Sequence, residues 1–171
     1  MNEPPPPEAW MRGPIPDLNP VVSHLLRATE QIREDAESLL QGLTPAEIWS
    51  SLHGVTSVGF HAKHLAGSTT RLLTYLAGRQ LSEEQLAAIP REHAGQESAE
   101  ELLALISSAF DLYEEAICNL SPDVFGAPRE IGRRRYPAAA ISIAIHIVEH
   151  AQRHVGGMIA AAKLARGANR S

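Results

Sequence analysis

Apolar residues recur at intervals of three and four along four stretches of the chain, the spacing that lines one face of an α-helix. In the first, Val22, Leu25, Leu26, Thr29, Ile32, Ala36, Leu39, Leu40 and Leu43 alternate with Arg27, Glu30, Gln31, Glu34 and Glu37. Asn19-Pro20 opens that helix, because asparagine caps free amides and proline suits the first helical position, and Gly42 closes it. A second helix, from Val58 to about Ala77, follows Thr56-Ser57 and carries Val58, His61, Leu65, Leu72, Leu73 and Leu76, with Gly78 at its end. The third runs from Ser98 and Glu101 through Leu102, Leu105, Ile106, Ala109, Phe110, Tyr113, Ala116, Ile117 and Leu120 to the stop at Ser121-Pro122. The last begins with Pro137 at its first position and reaches about Arg166, apolar nearly all round in its first half.

Capping boxes at Thr44-Pro45-Ala46-Glu47 and Ser82-Glu83-Glu84-Gln85 predict two short extra helical turns in the linkers. Residues 90–96 read as loop, and residues 121–136 as a connection in which only Arg133 to Tyr136 resembles a strand. The expected fold is therefore all-α, a four-helix bundle over residues 19–166 with room for crossover connections. An extended arm over residues 1–18, holding six of the twelve prolines, precedes it, with polyproline character at Pro4 to Pro7 and with Trp10, Met11 and Ile15 to tether it. A disordered tail, 167–171, follows.

The length of 171 residues suits one domain, and 44% hydrophobic with 20% charged residues marks a soluble class. A formal charge of -5 disfavours nucleic acid as a partner, and no apolar run approaches the roughly 18 residues needed to span a membrane. Cys118 is the lone cysteine, expected in the core, so no internal disulfide framework exists. With no secretory signal at the amino terminus, the expected compartment is the cytoplasm.

Histidine changes the picture more than composition does. Five of the eight histidines fall in two helical blocks, His61 and His64 in the second helix and His146, His150 and His154 in the last. Residues four apart on a helix are offset by about 40° and their Cβ atoms lie about 5 to 6 Å apart, so two such imidazoles can hold one metal ion. A third ligand from a facing helix, with His61 and His64 the nearest candidates, would complete a face of three and leave a position open for water or substrate. A competing motif, His146-Ile147-Val148-Glu149-His150, matches the H-x-x-E-H pattern of inverted zinc peptidases, but those enzymes need a larger scaffold. Arg129, Arg133, Arg134 and Arg135 read as a solvated loop, with a cationic rim for an anionic substrate as the alternative.

Two segments resemble a known family. Ser57-Val58-Gly59-Phe60-His61-Ala62-Lys63-His64-Leu65-Ala66-Gly67-Ser68 is similar to the second helix of the DinB-like (DinB/YfiT) metal-binding four-helix bundles. Glu149-His150-Ala151-Gln152-Arg153-His154-Val155-Gly156-Gly157 is similar to their final-helix pattern of His, three residues, then His-Arg-Gly-Gln. The resemblance implies that His64, His150 and His154 bind one divalent metal, nickel or zinc. It also implies a metal-dependent enzyme acting on a small molecule, in narrower form a transferase using a low-molecular-weight thiol such as bacillithiol or mycothiol. A non-catalytic metal-binding or dimerisation module, including a homodimer, and a metal-dependent hydrolase are the alternatives. Glu149, His61 and His146 are the further candidates, as catalytic groups or as partners that hold a ligand ring. Val155 and Gly157 depart from the family pattern, where arginine and glutamine are common.

Overall fold

The computed structural model describes residues 6–168. Its four long helices are α1 (Pro20–Leu40), α3 (Val58–Leu76), α5 (Ala99–Cys118) and α6 (Ala140–Ala168), with short α2 (Pro45–Trp49) and α4 (Glu83–Ala88) in the linkers. The caps expected from sequence are formed. Asn19 accepts from the Val21 amide, Ser57 from Phe60, and Thr44, Ser82 and Ser98 each complete a capping box. Gly78, in the left-handed region at φ 74°, ends α3 where a side chain would be strained.

The bundle is a square in which α3 and α1 each pack against both α5 and α6. His61 and His64 face Gly157 and His150, so α3 and α6 run antiparallel. One groove is lined by Ala66, Thr70, Leu105 and Leu112 and the next by Thr70, Leu76, Leu112 and Leu120, so α3 and α5 advance together and run parallel. Parallel neighbours need a crossover, and residues 77–98 supply it by travelling back along α3 through α4 and a 3₁₀ turn at Ile89–His93. That return path matters for the site, because it lays the 3₁₀ turn against α3.

The core is apolar and fully buried along Ile32, Leu40, Leu65, Leu102, Phe110, Ile143 and Met158. Buried Tyr113 meets the requirement that interior polar groups be paired by donating its hydroxyl to the Ala144 carbonyl at 2.9 Å. Among the described residues no helix is long and apolar enough to cross a membrane.

Several expectations are corrected. The connection after α5 contains a hairpin, β1 (Pro128–Ile131) paired antiparallel with β2 (Tyr136–Ala139), and Pro137 sits opposite Glu130 in it. Both strands of a two-stranded ribbon are edges, so proline costs no ladder bond that the pair requires. The helix starts later, at Ala140, because the Ala140 and Ile141 amides find the carbonyls of Ala127 and Phe125 at 2.9 and 3.0 Å. Residues Arg133 to Tyr136 are mostly the hairpin turn.

The arm is not wholly extended. Ala9–Arg12 forms a 3₁₀ turn on α1, held by Arg12 to Glu30 and Glu34 and by the Ala9 amide to Gln31. Trp10 and Met11 stay exposed, and the Ile15 amide donates to Ser23. The polyproline reading of Pro4 and Pro5 lies outside the described residues. Gly167 and Ala168 are helical rather than tail, and residues 169–171 also lie outside. Cys118 is exposed at the end of α5, one position past buried Ile117.

Candidate metal centre

His61 and His64, three residues apart in the first two turns of α3, project toward α6, which presents His150 and His154 from consecutive turns. His64 Nε2 lies 3.2 Å from His150 Nε2. The His154 ring centroid is 4.5 Å from that of His64 and 4.6 Å from that of His150. Each of the three residues offers one nitrogen, and these nitrogens lie within 4.8 Å of one another. All three are half-buried.

Partners outside this group set the ring roles. His64 Nδ1 is 2.7 Å from the Glu92 carboxylate, whose other oxygen accepts from Arg71 Nη1 at 2.6 Å. Nδ1 therefore carries the hydrogen, and Nε2 turns a lone pair toward His150 and His154. Burial raises the Glu92 pKa, but the hydrogen bonds from His64 and Arg71 outweigh it and hold the carboxyl below its usual value. Gly67 makes room: a Cβ there would collide with the Glu92 carboxylate and stand 2.8 Å from Arg71 Nη1.

Burial also keeps His150 and His154 neutral, the form that binds a metal. It pushes His150 down to about 4 and His154 down to about 3, helped in both by the charge of His64 and then of further neighbours. His61 is lowered by burial and by His64. Its Nδ1 is 2.9 Å from His154 Nδ1 and its Nε2 2.8 Å from Thr56 Oγ1. The Phe60 ring lies nearly parallel to His64 at 5.4 Å and to His93 at 4.4 Å.

Glu149 stands apart from this group, and His146 lies only at its edge, its ring centroid 5.5 Å from that of His150. Both are exposed on α6, 3.9 Å from each other, so the H-x-x-E-H residues do not converge with the glutamate directed at a pair of histidines. The arginines of the hairpin are also distant. Arg129 Nε donates to the Leu76 carbonyl at the far end of α3, 12 residues or about 18 Å of helix from His64. Arg135 pairs with Glu130, and the loop reading, not the rim, describes them. Glu92 is the residue that sequence reading missed, since it lay in a stretch taken as loop. The only available signal was topological, an acidic residue on a crossover that must pass α3.

The donor set fits a divalent transition ion. Nitrogens each about 2.1 Å from such an ion lie about 3 to 3.5 Å apart, and the His64–His150 separation of 3.2 Å falls in that interval. The buried His150 Nδ1 has no hydrogen-bond partner, so the polar cluster is not self-sufficient.

A helical bundle with a histidine group between two antiparallel helices is the class that fold and site define. A family profile described as the DinB superfamily matches residues 28–158, and the chain belongs to that superfamily. Among solved structures it is similar to a DinB-like protein from Bacillus cereus ATCC 10987. The TM-score is 0.65 at 14% identity, over 83% of this chain and 91% of that one. No curated protein matches.

Proposed function

We propose that this protein holds one divalent metal ion on His64, His150 and His154 and uses it on a small-molecule substrate. The observation that carries the reading is the convergence of three ring nitrogens within 4.8 Å, one of them fixed from behind by Glu92. Three neutral imidazoles leave the ion its full charge and an open position, which supplies Lewis acidity and lowers the pKa of a bound water or thiol. Closed structural sites use four protein ligands. Here Glu149 is exposed and away from the group, and both nitrogens of His61 are engaged elsewhere, which supports an open site.

Nickel or zinc suits imidazole donors, and thiol transfer is the narrower form of the reading. Elemental analysis of protein purified without chelator, then supplied with nickel, zinc or manganese, should give about one ion per chain, lost in His150→Ala. Wild type that binds none of these metals overturns the reading. Conjugation of a low-molecular-weight thiol to an electrophile, dependent on both metal and thiol, tests the narrower form.

A further inference from the structure

His61 leans on α6 at Gly157. A Cβ built on Gly157 would stand 2.6, 2.8 and 2.9 Å from Cε1, Nε2 and Nδ1 of the His61 ring, so any other residue displaces that imidazole. Gly157 has ordinary helical backbone inside α6, where glycine is disfavoured, so the conformation does not call for it. The ring does.

Seated there, His61 spans from Thr56 to His154. A bond between two ring nitrogens needs a hydrogen on one and a lone pair on the other. For His154 to turn a lone pair on Nε2 toward His64 and His150, its Nδ1 must carry the hydrogen. His61 Nδ1 is then the acceptor, His61 Nε2 carries the remaining hydrogen, and Thr56 Oγ1 accepts it. The opposite tautomers put a hydrogen on His154 Nε2, which could not then be a ligand.

We propose that Thr56, His61 and Gly157 form a positioning device for His154, in which a neutral imidazole fixes the ligand's tautomer and ring angle and glycine admits that imidazole. The inference rests on the reading of His154 as a ligand. His64 is held by a carboxylate, His154 by a neutral ring, and His150 Nδ1 has no partner, so the three donors are unequal. His61 is thus a positioning residue and not a fourth ligand.

Long-range ¹H–¹⁵N spectra of histidine-labelled, metal-free protein test the pairing whether or not metal binds. His154 should be the Nδ1–H tautomer and His61 the Nε2–H tautomer, with a coupling across the Nδ1–Nδ1 bond. Gly157→Ala should abolish that coupling while Tm stays at or above the wild-type value, since alanine favours the helix. In competition with a chromophoric chelator for zinc, Gly157→Ala and His61→Ala should each bind about 10- to 100-fold more weakly. Wild-type His154 with its hydrogen on Nε2, zinc affinity within twofold of wild type in Gly157→Ala, or four imidazoles around bound cobalt by X-ray absorption would each overturn the proposal. Wild type that binds no zinc but shows the expected tautomers would overturn the metal reading and leave the His61–His154 pairing standing.

Discussion

Trp49 and His61 enter the bundle by the same steric device and end in different roles. The Trp49 ring lies over Gly59 of α3 and Gly95 of the crossover, where added Cβ atoms would stand 2.7 Å and 2.6 Å from it. His61 lies over Gly157 in the same manner. Tryptophan has one polar atom, and its Nε1 donates to the Glu97 carbonyl at 3.1 Å, so the joint is complete in itself. Lys63 closes it, 5.6 Å over the indole and 2.6 Å from Glu97. Histidine has two polar atoms and passes one to His154. A ring wedged against glycine thus stabilises when its polar atoms are satisfied locally, and positions a neighbour when one of them is handed on.

Glu92 belongs to both kinds of region and should give the largest effect. It is 5% exposed, and it closes the crossover onto α3 through Arg71 while holding His64. Glu92→Ala leaves a nearly buried guanidinium unpaired and should cost about 3 kcal/mol in urea unfolding. The same variant should weaken metal binding by about 10- to 100-fold. Unchanged stability would show that Arg71 finds water once its partner is gone, and the structural half of the carboxylate's role would fall.

Gly59→Ala sharpens the comparison. Overpacking against Trp49 should cost about 2 kcal/mol. Zinc affinity should stay within about threefold of wild type, because the joint has no bond to the ligands. Gly157→Ala should show the reverse pair of effects. A Gly59→Ala protein with weakened zinc binding and normal stability would erase the distinction between the two wedges.

The four long helices were legible because their periodicity and caps are local, and Asn19, Thr44, Ser57, Ser82 and Ser98 cap as their sequence contexts indicate. His150 and His154 were legible for the same reason, sharing one helix at a spacing of four. Equal spacing hid an inequality: the drift of about 40° per step carries His146 out to solvent. Periodicity left His61 and His64 equal, and choosing His64 drew on resemblance alone. Glu92 was not legible, since it reaches His64 across 28 residues through a crossover whose direction no local pattern encodes. Pro137 carried a true signal for two structures, a helix start and an edge strand, and the carbonyls of Phe125 and Ala127 decided between them. The departure at Gly157 was visible, but its reason was not until His61 was seen to fill the space.

The smallest effect separates the regions by pH in the metal-free protein. His150 and His154 stay neutral when folded, pushed down to about 4 and about 3, chiefly by burial. In the unfolded chain they titrate near about 6.5. Below that value the unfolded state binds more protons than the folded one, so stability is full above about pH 6.5 and declines as pH falls toward the folded values. The carboxyls of Glu92 and Glu97 are held below their usual value and weigh in only at still lower pH. Between about pH 6.5 and 5 the fall in Tm should therefore follow the histidines. It should be shallower in a His150→Ala, His154→Ala double variant, whereas Gly59→Ala should run parallel to wild type at lower Tm. Equal slopes in wild type and the double variant would mean that the site histidines admit protons without resisting the fold, and the difference between a closed packing joint and a group kept neutral for a ligand would not be electrostatic.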